Sequence, residues 1–89
     1  MIKKEFTVVN KFGLHARPAT LFVRTSNQFE SEIHVKYGTK EANAKSILQV
    51  LSLGVEKDGE IDLIIDGPDE AQAITELSSL VQADFSDLH

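Results

Sequence analysis

The sequence predicts an α+β fold in which four strands with one buried face and three helices form a two-layer sandwich. Four short segments alternate apolar and polar side chains, as half-buried strands do, and three others repeat apolar side chains at the spacing of an amphipathic helix. The segments follow one another in the order βαββαβα, which favours a sheet packed against helices. At 89 residues we expect one continuous core, so residues 1–89 are interpreted as a single domain.

The first strand and the first helix lie in the amino-terminal third. Apolar side chains alternate with polar ones over most of residues 2–9, which predicts a strand. Pro18 fits the first turn of a helix, where the missing N–H of proline costs no hydrogen bond. We predict this helix over residues 16–26, ended by Asn27. Its regularly spaced inner side chains are Ala19, Phe22, Val23 and Ser26.

A hairpin and the start of a short helix occupy the middle of the chain. Residues 32–37 alternate strictly, and Gly38-Thr39 is a short turn that leads into a strand over residues 40–44. Ser46, followed three residues later by Gln49, matches the capping box that starts helices. The sequence therefore predicts two paired strands and then a helix that begins after Ser46.

The carboxy-terminal half completes the pattern. The short helix is predicted to end near Ser52, with Gly54 as its terminator. Residues 61–65 alternate as the fourth strand, and residues 67–69 end that strand and cap the last helix. The apolar stripe of the last helix is Ala73, Ile74, Leu77, Leu80 and Val81.

The composition excludes several classes of protein. The net charge of −5, from 14 acidic and 9 basic residues, argues against a nucleic-acid-binding protein, which would carry a basic stripe. The absence of cysteine excludes a disulfide framework and a thiolate metal site. No segment resembles a signal peptide or reaches membrane-spanning length. We therefore expect a cytoplasmic protein without membrane insertion.

The segment Gly13-Leu14-His15-Ala16-Arg17-Pro18-Ala19 carries the clearest functional signal. It places His15 at the predicted start of the first helix, where backbone N–H groups and the positive end of the helix dipole attract anions. Arg17 adds a permanently charged guanidinium that suits phosphate. An imidazole, with an unperturbed pKa of about 6.5, is a competent nucleophile near neutral pH. Together these residues predict a histidine that carries a phosphoryl group.

No other group of residues predicts catalytic or metal chemistry. His34 lies on the polar side of a strand without ligands at metal spacing, so we expect no metal ion. Asp66, Asp69 and Glu70 are interpreted as turn and helix-start charges. The sequence contains no glycine-rich phosphate loop, nucleotide fingerprint or nucleophile elbow. We therefore expect no cofactor and no independent enzyme activity.

The segment around His15, together with Ala44-Lys45-Ser46-Ile47-Leu48 and Leu53-Gly54, resembles the HPr family. HPr is the histidine-containing phosphocarrier of the bacterial phosphoenolpyruvate-dependent sugar phosphotransferase system. The resemblance extends from about Ile2 to about Val81. It implies an open-faced sandwich, in which an antiparallel sheet is covered on one face by helices. We expect a monomer, because a monomer suits a relay that must dock with several proteins in turn.

The resemblance also implies a role for each matching residue. His15 accepts a phosphoryl group on Nδ1 from the phosphorylated first enzyme of the system and passes it to a histidine of a sugar-specific acceptor domain. Arg17 stabilises the phosphate. The residues predicted to dock with these partners are Phe12, Ala16, Thr20, Arg24, Asn27, Ile47, Leu48, Gln49 and Leu51.

Part of this docking surface follows from helical geometry. Ile47, Leu48 and Leu51 cannot all face the core when successive side chains are rotated by about 100°. At least one of them, Ile47 or Leu48, is expected to be exposed. An exposed apolar patch near a phosphate site is typical of a docking surface. Its predicted polar rim is Arg24, Asn27 and Gln49.

Phe12 and Thr20 depart from the pattern of the family. Position 12 is often a small polar residue, and position 20 is alanine in many relatives. Phe12 takes no direct part in the phosphoryl chemistry, but its size bears on the choice of partner. It favours, as one alternative, a carrier in a nitrogen-related regulatory branch of the phosphotransferase system.

Ser46 has two compatible interpretations. As the N-cap of the short helix it contributes about 0.5–2 kcal/mol of stability relative to alanine. In HPr of Gram-positive bacteria the matching serine is phosphorylated by a dedicated kinase/phosphorylase, and the phosphorylated form binds a catabolite-control transcription regulator. A regulatory binding module that acts through phospho-Ser46 is therefore an alternative function. His15 and Arg17 together favour phosphoryl transfer over regulation alone.

Overall fold

Four strands and three helices follow one another in the predicted order. The structure is a computed structural model that describes residues 1–9, 13–14 and 16–82. The elements are β1 (Ile2–Thr7), α1 (Ala16–Ser26), β2 (Glu32–Tyr37), β3 (Lys40–Asn43), α2 (Ile47–Ser52), β4 (Glu60–Asp66) and α3 (Glu70–Gln82). The predicted α+β class is confirmed.

The strands form one antiparallel sheet in the order β1-β4-β2-β3. Ile33 lies opposite Ile65, and Val35 lies opposite Leu63, and all four side chains are almost completely buried. The alternate residues of β4 point to the other face and are more exposed. Since neighbouring side chains of a strand point to opposite faces, one face of the sheet holds the core and the other faces solvent.

The helices pack on the apolar face of the sheet and on one another. α1 contacts both α2 and α3, while α3 also contacts β1 and β4. The predicted inner side chains of α1 are all buried: Ala19, Phe22, Val23 and Ser26. The predicted stripe of α3 is buried at Ala73, Leu77, Leu80 and Val81, with Ile74 packed against it. The helical period in the sequence therefore identified the core-facing sides of both long helices.

Two strands end earlier than predicted. β1 ends before Val8, inside the range that the sequence suggested, because Val8 pairs with a turn instead of a strand. Its N–H donates to the Gly59 carbonyl at 2.9 Å, and its carbonyl accepts from the Asp58 N–H at 2.7 Å. β3 ends at Asn43 and does not include Ala44.

The carboxylate of Asp69 joins the loop after α1 to the start of α3. Its Oδ1 accepts the Ser31 hydroxyl and the Ser31 N–H, the latter at 3.0 Å, and its Oδ2 accepts the Glu30 N–H at 2.9 Å. The Ser31 hydroxyl, and after it the Glu30 N–H, lowers the pKa of Asp69, because these donors favour the charged carboxylate. Asp69 is thus more than a helix-start charge, since it connects segments that are far apart in the chain.

Replacing this carboxylate, as Asp69→Asn, is expected to lower the free energy of unfolding at neutral pH, because an amide cannot accept hydrogen bonds at both of its atoms. A lowered pKa stabilises the fold fully above the pKa of the unfolded state, which is near the ordinary value of 3.8 for an aspartate. This stabilisation is lost as the pH falls through the pKa of the folded state. Urea unfolding at several pH values should show a wild-type advantage that is constant above about pH 5 and shrinks below about pH 4.

The control for this prediction is Glu41→Gln, which neutralises an exposed carboxylate on β3 and should leave the unfolding free energy nearly unchanged. A wild-type advantage over Asp69→Asn that persists undiminished in acid contradicts the role assigned to the charged carboxylate.

Candidate functional site

The backbone that enters α1 is fixed by the loop after α2. The Leu14 N–H donates to the Val55 carbonyl at 2.9 Å, and both side chains are buried. Gly13 has a φ of +69°, and a Cβ at this position would lie 2.1 Å from the Val55 oxygen and 2.8 Å from the Glu56 Cα. Glycine alone fits this contact. The two residues that precede His15 in the sequence are therefore held against the loop after α2.

His15 and Phe12 lie outside the described residues. The phosphoacceptor role of His15 and the docking role of Phe12 therefore stay predictions. The sequence neighbours of His15 are described: Leu14 is anchored as above, and Ala16 is the first residue of α1.

The first turn of α1 combines a cation with a helix start, as the sequence predicted. Arg17 is exposed, whereas Pro18 is buried and has no N–H to donate. The Thr20 hydroxyl donates to the Ala16 carbonyl at 2.7 Å. An exposed arginine thus lies in the first turn of α1, near the positive end of the helix dipole, and this combination suits an anion.

The exposed side of α1 forms a groove that carries two cations. The groove has a volume of about 270 Å³ and is lined by Ala16, Arg17, Thr20, Leu21 and Arg24. Arg17 and Arg24 share this side because residues seven apart lie on one side of a helix. α1 contains no acidic residue. Despite the net charge of −5, this face is locally basic and complements an acidic surface.

Ser46 is the N-cap of α2, as predicted. Its backbone is extended, with φ −116° and ψ 113°, and its Oγ accepts the Gln49 N–H at 3.4 Å. The other half of the predicted capping box is wrong. Gln49 Oε1 accepts the Asn43 N–H at 2.9 Å, and the Ser46 N–H donates to the Asn43 carbonyl at 3.0 Å. In a capping box the Gln49 side chain would accept the Ser46 N–H. Here both groups form hydrogen bonds with the backbone of Asn43, at the end of β3, instead.

Asn27 joins the end of α1 to the segment before Ser46. Its Nδ2 donates to the Val23 carbonyl at 2.9 Å and to the Lys45 carbonyl at 3.2 Å. Lys45 Nζ donates to the Phe29 carbonyl at 2.6 Å. Asn27 is exposed, as a rim residue should be, but its amide is engaged within the protein. This role of Lys45 is not visible in the sequence, because a lysine within a motif does not reveal which carbonyl its ammonium group contacts.

The exposed apolar patch predicted on α2 is present. Leu48 is 78% exposed and Leu51 is 37% exposed, whereas Ile47 packs against the core. Of the two residues that the sequence left open, Leu48 is therefore the more exposed. α2 contacts α1, so this patch belongs to the helix beside the basic groove.

The acidic residues and histidines elsewhere in the described part of the chain do not form a metal site. In the described part of the chain, no group of three or more His, Cys, Asp or Glu residues is arranged to hold a metal ion. Across residues 1–9, 13–14 and 16–82, no helix combines the length and apolar character needed to cross a bilayer. Asp66 ends β4 and Glu70 begins α3, which agrees with their interpretation as turn and helix-start charges.

Known proteins share both this fold and much of this sequence. A family model described as the PTS HPr component phosphorylation site matches residues 2–83. HPr-C-His from Thermoanaerobacter tengcongensis is 43% identical, with 97% of each chain covered and a TM-score of 0.94. The phosphocarrier protein HPr from Bacillus anthracis is 37% identical, with 91% of this chain and 96% of that chain covered and a TM-score of 0.86. Crh, the Bacillus subtilis catabolite repression protein described as a dimer with a swapping domain, is 40% identical, with 94% and 97% covered and a TM-score of 0.74.

The contact at Gly13 yields a direct stability prediction. Gly13→Ala is expected to lower the free energy of unfolding by about 3 kcal/mol, from a left-handed backbone and a forced displacement of a neighbouring backbone segment. Gly54→Ala is the matched control, because Gly54 has a similar φ of +64° but open space around its Cβ position. It should cost only about 1 kcal/mol. Urea unfolding measures both, and equal losses in the two variants contradict the role of the Val55 contact.

Proposed function

The chain belongs to the HPr family of histidine-containing phosphocarriers, and we propose that it relays a phosphoryl group through His15. The donor is the phosphorylated first enzyme of the phosphoenolpyruvate-dependent phosphotransferase system. The acceptors are histidines of sugar-specific acceptor domains. The protein acts in the cytoplasm as a carrier with a phosphohistidine intermediate and not as an independent enzyme.

The observation that supports this proposal most strongly is the anchored backbone before His15 and the exposed Arg17 in the turn after it. Gly13 and Leu14 are held against Val55, and α1 begins at Ala16. A nucleophile whose neighbours in the chain are fixed beside a helix start loses less entropy when it docks with a donor. An exposed guanidinium compensates phosphate charge without enclosing it, so that the group can leave again.

The transfer step balances without any further reactant. The lone pair of the neutral His15 Nδ1 attacks phosphorus, and the bond from phosphorus to the phosphate-bearing atom of the donor breaks. The donor group leaves with that electron pair. In the second step the same exchange runs toward the acceptor domain, whose histidine nitrogen displaces His15. In this second step one phosphorus–nitrogen bond replaces another, so its energies are close to balanced.

The surface around the site supports docking with acidic and apolar partner faces. The basic groove of α1 offers Arg17 and Arg24, and α2 offers the exposed Leu48. A cationic groove beside an apolar patch matches the pattern of interfaces in which charge gives orientation and apolar contact gives affinity. We include a monomeric state in the proposal, since a relay must present one surface to successive partners, although the relative Crh is described as a dimer.

The direct test is to incubate the protein with phosphoenolpyruvate and the first enzyme of the system. We expect an acid-labile, base-stable phosphate that is absent in His15→Ala and present in Ser46→Ala. Arg17→Ala should keep its fold but transfer the phosphoryl group about 10- to 100-fold more slowly. This is the loss of rate expected when one charge-assisted hydrogen bond to the transition state is removed. Arg24→Ala on the same helix face is the matched comparison, and it should raise KM more than it lowers kcat.

Two results would overturn this proposal. Phosphate that persists in His15→Ala removes His15 as the carrier, and the complete absence of label in the wild-type protein removes the relay itself. An Arg17→Ala variant with an unchanged rate removes Arg17 from the mechanism.

A regulatory function through Ser46 is the second candidate. Ser46 is half-exposed at the N-cap of α2, and the 40% identical Crh is described as a catabolite repression protein. A phosphate on the N-cap adds about −1.5 to −2 charges where the helix dipole favours them, and makes the surface near Leu48 acidic. Such a surface repels an acidic docking partner and attracts one that presents arginine.

An ATP-dependent serine kinase of the kind that modifies HPr tests this second function. We expect an acid-stable phosphate that is lost in Ser46→Ala and retained in His15→Ala, together with a slower relay through His15 in the modified protein. Ser52→Ala, which changes an exposed serine of the same helix, should be labelled like the wild type. Absence of acid-stable label, or its survival in Ser46→Ala, contradicts regulation at this residue.

A further inference from the structure

Thr20, a predicted docking residue, makes a hydrogen bond within its own helix that has no part in docking. Its hydroxyl donates to the carbonyl of Ala16, four residues earlier, at 2.7 Å. In an α-helix that carbonyl also accepts the N–H of residue 20. The Ala16 oxygen, in the first residue of α1, therefore accepts two donors from one residue.

This carbonyl shares its peptide unit with the N–H of Arg17. The two bonds point in opposite directions because the peptide is planar, and the described residues contain no cis peptide. In a helix the carbonyl points toward the carboxyl end, so the Arg17 N–H points toward the start of α1. Pro18, the next residue, contributes no N–H. Among the amides of this turn, the Arg17 N–H is therefore the one whose peptide plane Thr20 constrains.

A second donor on a carbonyl does two things to its peptide unit. It restricts rotation of the plane, and it draws electron density toward the oxygen, which makes the N–H of the same unit a stronger donor. The Thr20 hydroxyl therefore restricts and polarises the Arg17 N–H through a single peptide group. It does so without contacting the acceptor to which that N–H donates.

We infer that Thr20 is a positioning residue for phosphoryl transfer, which orients and polarises the Arg17 N–H toward the phosphoryl oxygens at the start of α1. The inference rests on the proposed relay through His15. Thr20 is not a catalytic residue, since its hydroxyl proton is committed to the Ala16 carbonyl. Its contribution is greatest in the transition state, where negative charge on the transferring group is spread over its oxygens.

α3 contains an internal control for this arrangement. Thr75 donates to the Ala71 carbonyl at 2.9 Å, again four residues earlier and again near the start of a helix. Both threonines are exposed. Thr20→Val and Thr75→Val therefore remove the same bond with the same change of shape, one in the helix that follows His15 and one in a helix without the motif.

The first measurement is the rate of phosphoryl transfer from the first enzyme. Thr20→Val should reduce kcat about threefold with little change in KM. This size of effect is expected because the hydrogen bond from the Arg17 N–H to the phosphoryl group is weakened and not lost. Thr20→Ser, which restores the donor but not the methyl group, should recover most of the rate. Thr75→Val should transfer at the wild-type rate.

The second measurement does not depend on activity. Loss of polarisation should move the amide proton resonance of Arg17 upfield in Thr20→Val, and that of Gln72 upfield in Thr75→Val, because both amides share a peptide with the affected carbonyl. An unmoved Arg17 resonance, or a Thr20→Val variant with wild-type kcat, overturns the inference.

The remaining outcomes also decide between explanations. Thr20→Ser as slow as Thr20→Val shows that the methyl group matters, which means a docking contact and not positioning. Thr75→Val as slow as Thr20→Val shows a general effect on stability. If the wild-type protein itself takes no phosphate on His15, the proposed function fails, whereas a normal wild type with an unaffected Thr20→Val refutes only the role of Thr20.

Discussion

The close contact between Gly13 and Val55 fixes the backbone that leads into α1. A backbone carbonyl lies where any other residue would place its Cβ, and the next residue donates its N–H to the same oxygen. The approach of two backbones, rather than a side-chain contact, thus anchors the segment before His15. Backbone atoms have little rotational freedom, so an anchor of this kind positions the chain more narrowly than an exposed side chain could.

α1 is held at both ends by the segments that flank α2. Val55, after α2, accepts a hydrogen bond from the segment that leads into α1. Lys45, before α2, forms hydrogen bonds with Asn27 and Phe29, just beyond the end of α1. The two helices therefore form one unit, in which Ser46 caps α2 and α1 begins directly after His15 in the sequence. If the protein docks its partners as we propose, a partner on this unit contacts α1 and α2 together, and a phosphate on Ser46 changes the surface that it meets.

Exposure of the cations suits a carrier better than burial. A caged phosphate gains from strong, desolvated hydrogen bonds and would be held too tightly to move on, whereas groups near solvent are screened and bind it loosely. Arg17 and Arg24 are both exposed. The sheet and the buried sides of the helices therefore form the scaffold, and the two arginines that we propose for phosphate binding and docking lie on its surface.

The sequence by itself determined the number, order and inner faces of the elements, and it singled out His15, Arg17 and Ser46. Periods of two and of three to four residues record directly which side chains are buried, and turn residues mark the ends. Tertiary structure alone decided the remaining contacts: Gly13 against Val55, Asn27 on Lys45, Gln49 on Asn43 and Asp69 on Ser31. These pairings depend on which segments meet when the chain packs, and a polar residue can satisfy its hydrogen bonds with any of many carbonyls or amides. The local sequence pattern therefore specifies the strands and helices, whereas their packing decides which groups hydrogen-bond with one another.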